Sequence, residues 1–304
     1  MKTPLVIDIK GNSLDDGPGI RSVVFFKGCP LSCVWCHNPE SKSPDAELSF
    51  DPQKCITCDT CINICQFEAL SKDNPFFIDR DKCTLCFECA KECPSGALSR
   101  VGREFTQEEI IEKVAKDKPF YDTSGGGVTF SGGEPTMHME FLSDILAALK
   151  KKDIHTLIET CGYFNFEKFK KLILPHVDMI FMDIKLLDTK MHKDYCGVDN
   201  NLIVENFLKI QELSLHEGFE IRVRLPLIPD ITDTKQNIAL IALFLHTHRV
   251  EEIQLLPNNP IWHEKCQRMG FVSSYEKDSP MRKWFPKDRI ESCKKIFSEM
   301  GIRA

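Results

Sequence analysis

Three closely spaced cysteines near the N-terminus constrain this chain more than any other feature. Cys29, Cys33 and Cys36 follow C-x3-C-x2-C spacing, so one loop can bring the three thiols to a single metal centre. A structural zinc site normally has a fourth protein ligand, whereas a cubane iron-sulfur cluster held by three thiolates leaves one iron open. The spacing therefore favours an iron-sulfur cluster with a reactive iron. The alternative is a zinc site that takes His37 as its fourth ligand.

The segment before the thiols predicts where their loop lies. Residues 20–26 are apolar and rich in β-branched and aromatic side chains, a composition typical of a buried strand. Because the thiols follow directly, we expect them in a loop at the end of that strand. We call residues 28–38 the cluster loop.

Motifs on both sides of the thiols resemble those of a known superfamily. The letters DGPGIR at 16–21, FFKGC at 25–29 and CHN at 36–38 are similar to the cluster loop of the radical S-adenosylmethionine (SAM) superfamily. Within it they most resemble the activating enzymes of glycyl radical enzymes, which include the pyruvate formate-lyase activating enzyme. The resemblance covers nearly the whole chain. It implies that the catalytic cluster is held by Cys29, Cys33 and Cys36, and that the cofactor is bordered by Trp35, Cys36, His37 and Asn38. For Trp35, a plain core position is the alternative.

Composition narrows the range of partners. At 304 residues and 42% apolar content, the chain can build a sizeable core. A net charge of -6 argues against nucleic acid or an anionic membrane as a partner, because neither would be attracted to the molecule as a whole. Residues 1–10 lack a secretory leader and no stretch reaches the length of a membrane span. We therefore expect a cytoplasmic, globular protein, and a monomer.

A second cysteine-rich stretch follows a polar linker. Two runs with C-x2-C-x2-C-x3-C spacing begin at Cys55 and Cys83, so the pattern is an internal repeat. This is the spacing of two-cluster bacterial ferredoxins, in which the fourth cysteine of each run binds the other run's cluster. The expected ligand sets are Cys55, Cys58, Cys61 and Cys93 for one cluster, and Cys65, Cys83, Cys86 and Cys89 for the other. The alternative is a zinc ribbon, but zinc sites of the C-x2-C type do not require four cysteines in each run.

The repeat predicts how the chain is divided. Residues 48–100, which we call the cysteine-rich segment, are expected to form a ferredoxin-like insert with two [4Fe-4S] clusters. Residues 1–47 and 101–304 are expected to form the main domain. Four further cysteines stand alone and are expected as small buried side chains rather than ligands: Cys161, Cys196, Cys266 and Cys293. Of these, Cys161 is the least certain because it follows a predicted strand.

From Phe105 onward the chain alternates between strand and helix patterns. The letters TQEE at 106–109 form a capping box that predicts a helix to about Lys116. The predicted strands are 20–26, 128–130, 156–159, 179–183, 220–225 and 252–256, and the other predicted helices are 139–151, 166–174, 202–215, 235–246 and 287–300. This alternation predicts an α/β fold with a parallel sheet and right-handed crossovers. The resemblance implies a partial (β/α)6 TIM-like barrel that carries the ferredoxin-like insert.

Polar motifs follow several predicted strands, where parallel α/β folds collect their chemistry. Glycines remove side chains where a ligand approaches the backbone, and a carboxylate can accept from an ammonium group. The resemblance implies that SAM is bound at these motifs: Gly132, Gly133 and Glu134 for its amino group, Asp183, Ile184 and Lys185 for its carboxylate, and Arg224. Asn259 stands where better-known relatives carry a histidine near the SAM ribose. Because an amide can also hydrogen-bond a hydroxyl, we expect Asn259 to contact the cofactor.

Two further expectations concern side chains near these motifs. The resemblance places a monovalent cation beside the SAM carboxylate, with Asp183, Glu159 and Thr160 as candidate ligands. Alternation along the strand points Arg222 to the same face as Arg224, but we expect Arg222 in a surface or rim salt bridge.

The resemblance also implies an activity. An enzyme of this kind, a radical SAM oxidoreductase, would use three [4Fe-4S] clusters and SAM. It would cleave SAM reductively to a 5′-deoxyadenosyl radical, which removes hydrogen from a glycine of a partner glycyl radical enzyme, and flavodoxin or ferredoxin would supply the electron. The alternatives are a radical SAM enzyme that acts on a small molecule, and an iron-sulfur electron-transfer protein.

The segment 258–287 is rich in Pro, Asn and charge and has little helical or strand periodicity. With Trp262 and Trp284 exposed, it would form an adaptable rim for a peptide substrate. The alternative is that both tryptophans cap the core.

Overall fold

A computed structural model describes residues 3–271, 275–276 and 278–304. Its ten strands are β1 Leu5–Ser13, β2 Arg21–Phe26, β3 Glu47–Phe50, β4 Leu98–Val101, β5 Arg103–Glu104, β6 Gly127–Gly132, β7 His155–Thr160, β8 Met179–Asp183, β9 Glu220–Leu227 and β10 Ile253–Pro257. Eight of them form one sheet in the order β10-β9-β8-β7-β6-β2-β1-β5, and β3 pairs with β4.

The six predicted strands are confirmed as neighbours in the main sheet. β2, β6, β7, β8, β9 and β10 run parallel in that order. Two antiparallel strands, β1 and β5, extend the sheet beyond β2 and were not predicted. Half of β1 is exposed because it lies near the sheet edge, so its sequence lacks the continuous apolar run of a central parallel strand.

Helices connect the parallel strands. They are α1 Thr60–Ile64, α2 Glu88–Lys91, α3 Gln107–Ala115, α4 Lys118–Ser124, α5 Met139–Lys150, α6 Phe166–Leu172, α7 Thr189–Cys196, α8 Asn201–Ser214, α9 Lys235–Thr247, α10 Trp262–Arg268 and α11 Lys287–Glu299, with short 3-10 turns at Pro39–Ser41, Pro135–His138, Leu174–His176 and Pro280–Arg282. No helix in these described ranges is long and apolar enough to cross a membrane.

The predicted capping box at the start of α3 is confirmed. The Thr106 hydroxyl accepts from the Glu109 amide at 3.1 Å, and the Glu109 carboxylate accepts from the Thr106 amide at 2.8 Å. Helices α4, α7 and α10 were not predicted. α10 lies in the segment expected to be irregular, and residues 272–274 and 277 of that segment lie outside the described residues.

The main core lies between the sheet and its helices. It is built from side chains that alternate along the strands and from the inner faces of the helices, such as Val24, Phe130, Leu142, Ile158 and Phe207, each fully buried. Burying a side chain of this size stabilises a fold by about 1.5–3 kcal/mol. This core holds the strands in place, so the C-terminal ends of β2 and of β6 to β10 lie side by side in fixed positions.

The cysteine-rich segment packs around a smaller core of its own. β3 and β4 pair antiparallel, with Glu47 opposite Val101 and Phe50 opposite Leu98. A second apolar cluster lies beside them, formed by Leu48, Leu70, Phe77, Ile78, Cys89 and Leu98. The segment leaves the main fold after the cluster loop and returns through β5.

The motif DGPGIR lies at the N-terminal ends of the parallel strands, where β2 begins. The Arg21 side chain is fully buried and donates to the Thr129 hydroxyl at 2.6 Å, to the Val128 carbonyl at 2.9 Å and to the Pro18 carbonyl at 3.2 Å. Burial lowers the pKa of Arg21 to about 10. The guanidinium therefore ties the turn before β2 to β6.

We predict that Arg21→Met lowers the free energy of unfolding by about 2–4 kcal/mol, because the acceptors of a buried cation lose their donor. The matched control is Arg222→Met. As expected from the sequence, Arg222 forms an exposed ion pair, at 3.4 Å from Glu220, and such pairs contribute at most about 1 kcal/mol. Urea unfolding of both variants measures the difference. Equal stability of the two variants would contradict the structural role of Arg21.

Candidate active site

The cluster loop follows β2, as predicted, and rests on the C-terminus of α7. The Ser32 amide donates to the Cys196 carbonyl at 2.9 Å, and the Val34 amide donates to the Tyr195 carbonyl at 3.0 Å. The last carbonyls of a helix have no partner within the helix, so the loop supplies donors to them. Gly197 has φ 87°, in the left-handed region that favours glycine, and a Cβ there would lie 2.2 Å from the Ser32 hydroxyl.

The loop places its thiols against an apolar wall. Cys33 is buried and Cys29 and Cys36 are partly buried, beside a cluster that includes Leu31, Trp35, Leu186, Ile228 and Trp262. The Trp35 ring is buried, with its centroid 6.4 Å from that of Tyr195. The ring therefore packs in the core beside the loop, and its contact with adenine remains a prediction.

Two of the lone cysteines lie against the predicted ligands. Cys33 shares a hydrogen bond with Cys196, which lowers the pKa of Cys33 to about 7, and Cys161 shares one with Cys29. Burial raises the pKa of Cys36 to about 12. Both lone cysteines are buried, as expected. Sequence spacing could not show that they border the site, because they come from β7 and α7.

The donor set fits an iron-sulfur cluster better than a zinc ion. In the described ranges no three His, Cys, Asp or Glu side chains converge at distances that suit one metal ion. His37 instead lies with Nε2 3.4 Å from Asn258 Oδ1, and its ring stacks on Trp262. Burial lowers the pKa of His37. Three thiols in an apolar pocket suit a cubane with one open iron, and the site argues against His37 as a fourth zinc ligand.

Cations lie close to the thiols. The Lys42 ammonium donates to the Cys33 carbonyl at 3.0 Å, and Lys42 and Lys185 both act to lower the pKa of Cys33. Positive charge near thiolates favours their ionised form. The loop therefore offers a suitable electrostatic environment for a cluster with anionic ligands.

The predicted Gly-Gly-Glu turn lies beside the cluster loop, but its glycines serve the protein backbone. Gly132 has φ 104°, in the left-handed region that favours glycine. A Cβ on Gly132 would lie 2.4 Å from the Phe26 carbonyl oxygen, and one on Gly133 would lie 2.0 Å from the Gly28 carbonyl oxygen. Both glycines therefore allow the close approach of β2 and the cluster loop, and their contact with the SAM amino group remains a prediction.

The Glu134 side chain has several partners within the protein. Glu134 is fully buried, and its carboxylate already accepts four hydrogen bonds. The donors are the Cys161 amide at 2.7 Å, the Thr160 hydroxyl at 2.8 Å, and the Thr136 hydroxyl and amide at 2.7 and 3.2 Å. Three of these donors bond Oε1 and one bonds Oε2, so the carboxylate holds the end of β6 to the end of β7. A contact between Glu134 and SAM remains a prediction.

Asp183, Lys185 and Arg224 come together at the ends of β8 and β9, as predicted. Arg224 Nε donates to Asp183 at 2.9 Å, its Nη1 bonds Glu159, and Lys185 Nζ donates to Asp183 at 3.1 Å. The Ser131 hydroxyl completes the network with a 2.5 Å bond to Glu159. Burial alone would raise the pKa of Asp183, but Arg224 and Lys185 hold it below its usual value. The neighbouring Ile184 is buried, and its amide donates to the Arg224 carbonyl at 2.9 Å.

The candidate cation ligands do not share a free pocket. Asp183 and Glu159 are paired with cationic side chains, and the Thr160 hydroxyl donates to Glu134 at 2.8 Å on the far side of the strand end. A cation at this point would compete with Arg224 and Lys185 for the same carboxylates. The arrangement therefore does not support Thr160 as a ligand.

Helix α10 covers the end of the cluster loop. Lys265 Nζ donates to the His37 carbonyl at 3.1 Å and to Asn38 Oδ1 at 2.9 Å, and pairs with Glu40 at 3.0 Å. Trp262 is buried beside the loop, whereas Trp284 is exposed. The expectation for the two tryptophans is therefore correct for Trp284 and wrong for Trp262, which caps the core of the site.

The two asparagines after β10 differ in their surroundings. Asn258 is buried, accepts from the Trp262 indole at 3.3 Å and donates to two carbonyls of the segment 281–283. Asn259, the predicted ribose contact, is partly exposed and its side chain accepts from the Ile261 amide at 3.0 Å. Its amide nitrogen is the group that remains to bond a ribose hydroxyl.

The cysteine-rich segment gathers its thiols into the two predicted sets. One cavity is bordered by Cys55, Cys58, Cys61 and Cys93. A second cavity is bordered by Cys65, Cys83, Cys86 and Cys89. Each set therefore combines three cysteines of one run with the last cysteine of the other.

Comparisons with known proteins agree with this site. The model of the radical SAM superfamily matches residues 23–240. The chain belongs to the radical SAM superfamily. The trans-4-hydroxy-L-proline dehydratase activating enzyme of Clostridioides difficile is 39% identical over 298 residues, which cover 97% of this chain and 96% of that protein. The benzylsuccinate synthase activating enzyme of Thauera aromatica is 35% identical over 284 residues, which cover 91% of this chain and 85% of that protein.

These relatives place this radical SAM protein among the activating enzymes of glycyl radical enzymes. A solved structure of a radical SAM methyltransferase from Sphaerobacter thermophilus aligns with a TM-score of 0.54, over 98% of this chain and 76% of that chain. At 12% identity this likeness shows a shared fold.

We predict that Cys161→Ala combined with Cys196→Ala leaves the loop cluster in place, because an open iron needs only three protein thiolates. The measurements are iron per protein and SAM-dependent formation of 5′-deoxyadenosine. Cys33→Ala is the matched comparison, which should lose about four irons and the activity. If the double variant loses about four irons, one of the two lone cysteines is a fourth ligand.

We predict that Glu134→Gln weakens SAM binding about tenfold and destabilises the protein by about 1–3 kcal/mol, because an amide cannot accept all four donors. Glu140→Gln is the control, since Glu140 forms an exposed ion pair with Lys168 at 2.6 Å. SAM binding to the reconstituted protein and urea unfolding give the two quantities. Loss of SAM binding with unchanged stability would mean that the carboxylate contacts SAM directly.

Proposed function

We propose that this protein activates a glycyl radical enzyme, with Cys29, Cys33 and Cys36 as the ligands of its catalytic [4Fe-4S] cluster. The observation that carries the proposal is the arrangement of three thiols at the same sheet edge as the Lys185, Asp183 and Arg224 network. The relatives are named as activating enzymes, each of a different enzyme. The partner is therefore assigned by its class.

The chain's own residues would bind SAM by charge and shape. Lys185, only about a tenth exposed and paired with Asp183, is a suitable partner for the SAM carboxylate. The backbone of Gly132 and Gly133 and the carbonyls of this turn are the groups available to the amino group. When bound, the cluster and SAM would supply one-electron cleavage to methionine and a 5′-deoxyadenosyl radical, which takes hydrogen from a glycine of the partner. The protein's task is to orient SAM and exclude water.

The partner glycine would enter from the rim of the strand ends. Val34 of the cluster loop, Ile261 and Trp284 are exposed there, and the sheet remains open because β10 and β5 are its two edges. We infer that this open sheet curves as the partial barrel of the superfamily and admits a chain segment of the partner enzyme. A peptide needs such an open mouth, whereas a small substrate favours an enclosed pocket.

The cysteine-rich segment would act as a ferredoxin-like insert spanning residues 48–100, with residues 1–47 and 101–304 as the main domain. Its two thiol sets border two separate cavities, which supports two further [4Fe-4S] clusters and three in total. The insert would pass electrons from flavodoxin or ferredoxin to the catalytic cluster. A simple electron carrier would have no use for the Lys185 and Arg224 network, so activation explains more of the chain than electron transfer alone.

The decisive experiment is to incubate the anaerobically reduced protein with SAM and the glycyl radical enzyme encoded beside it. We expect 5′-deoxyadenosine and the electron paramagnetic resonance doublet of a glycine radical. The variant with Cys29, Cys33 and Cys36 all changed to Ala should give neither, because it has no ligands for the catalytic cluster.

A partner deuterated at glycine makes the test sharper, since hydrogen abstraction moves the label into 5′-deoxyadenosine. If 5′-deoxyadenosine forms but no doublet appears and no label is transferred, the protein does not activate that enzyme. A small-molecule substrate would then be the better explanation.

A further inference from the structure

A lysine outside the catalytic site joins the cluster loop to the cysteine-rich segment. Lys27 is the last residue before the cluster loop, and its side chain is fully buried. Its Nζ donates to the Glu40 carbonyl at 2.9 Å, to the Ser43 carbonyl at 2.9 Å and to the Glu47 carboxylate at 2.5 Å. Glu40 and Ser43 lie in the linker that leads into β3, and Glu47 is the first residue of β3.

The same side chain also touches the point where the chain returns. A Cβ on Gly102 would lie 2.8 Å from Cδ of Lys27, so the lysine stem runs directly beneath the Gly102 backbone. Glu47 pairs with Val101 across β3 and β4, and Lys27 therefore contacts both the outgoing and the returning chain. We call residues 40–47 together with 101–103 the neck.

The start of the neck is bonded to the residues that carry the thiols. The Gly28 amide donates to the Ser41 carbonyl at 2.7 Å, and the Cys29 amide donates to the Lys42 carbonyl at 3.2 Å. Lys42 in turn donates its ammonium to the Cys33 carbonyl. The neck is therefore hydrogen-bonded directly to the cluster loop.

The two thiol sets lie at different distances from the neck. Leu48, next to Glu47, borders the cavity of Cys65, Cys83, Cys86 and Cys89, whereas Phe50 and Leu98, at the far end of β3 and β4, border the cavity of Cys55, Cys58, Cys61 and Cys93. The Arg100 guanidinium, on the residue opposite Leu48, lies 4.8 Å from the ring centroid of Phe87, which also borders the cavity of Cys65, Cys83, Cys86 and Cys89. The Cys65, Cys83, Cys86 and Cys89 set therefore lies nearer the neck.

We propose that Lys27 is a positioning residue that fixes the cysteine-rich segment against the cluster loop, with the Cys65, Cys83, Cys86 and Cys89 set on the inner side and the Cys55, Cys58, Cys61 and Cys93 set facing the electron donor. This rests on the proposed function, since it assigns the order in which electrons cross the insert. Electron transfer between clusters falls steeply with distance, so the segment must be held in one position. A buried ammonium with three acceptors holds it, because any movement of the neck leaves buried polar groups without partners.

The test compares Lys27→Met with the parent protein, both reconstituted anaerobically. We expect turnover driven by reduced flavodoxin to fall on the order of tenfold or more, since small displacements have large effects on rate. A single turnover after full reduction by dithionite should change little, because the SAM site is intact. Hydrogen exchange at residues 40–47 and 101–103 should rise, and iron content should stay the same.

Two further variants make the result specific. Lys294→Met removes an ammonium that pairs with Glu291 at 3.4 Å on the exposed face of α11, and should change neither rate nor exchange at the neck. Glu47→Gln keeps an acceptor for Lys27 but removes its charge, and should give a smaller version of the same effects. If Lys27→Met does not fold, the same measurements on Glu47→Gln test the proposal.

The proposal is overturned if flavodoxin-driven turnover is unchanged, if both rates fall equally, or if exchange at the neck does not increase. The proposed function fails by a different result, namely that the fully reduced parent protein yields no glycine radical on its partner. The two failures are therefore distinguishable in the same set of assays.

Discussion

Backbone pairing between the end of β6 and the start of the cluster loop is the constraint on which the site depends. The Gly133 amide donates to the Phe26 carbonyl at 2.9 Å, and the Glu134 amide donates to the Gly28 carbonyl at 2.8 Å. These bonds continue the pairing of β2 and β6 beyond the regular strands, and a side chain on Gly132 or Gly133 would clash with the paired backbone. The turn and the thiol-bearing loop therefore move as one unit. The Glu134 carboxylate then adds the end of β7 to that unit.

The charged network at the ends of β8 and β9 is neutral before any ligand binds. Two cations, Lys185 and Arg224, face two carboxylates, Asp183 and Glu159. The Coulomb attraction of Asp183 and Glu159 outweighs burial and raises the pKa of Arg224, so the guanidinium remains charged. A buried network with every charge paired keeps its side chains in fixed rotamers. A SAM carboxylate would then meet an ammonium already in position, which reduces the ordering needed on binding.

The sequence predicted the parts of the molecule that have local patterns. Buried parallel strands are continuous apolar runs, so all six appeared where expected, and the TQEE capping box identified the start of α3. Thiol spacing also predicted which cysteines border each cavity of the cysteine-rich segment. In each case the signal lies within a few consecutive residues, or in a repeat of them. Such patterns survive without knowledge of the tertiary fold.

What the sequence could not predict depends on contacts between distant segments. Glu134 was expected to contact a ligand, and the sequence did not show that two of its four donors come from Thr160 and Cys161, which only the fold brings near. Trp262 was expected at an exposed rim, yet it is buried because α10 packs on the cluster loop. Cys161 and Cys196 carry no spacing pattern at all. Side-chain direction at a strand end is decided by neighbours in space, so pattern analysis finds the position but not the role.

The place of the cysteine-rich segment in the chain also follows from the direction of the strands. β2 ends at the edge where the thiols lie, so a segment inserted directly after the cluster loop must leave from that edge. The chain then returns through β5, which pairs with β1, and passes α3 and α4 before it enters β6 from the opposite edge. An insertion after one of the helices would have projected from that opposite edge, far from the thiols. Strand polarity alone therefore places the segment beside the site, and the buried ammonium of Lys27 sets its final position.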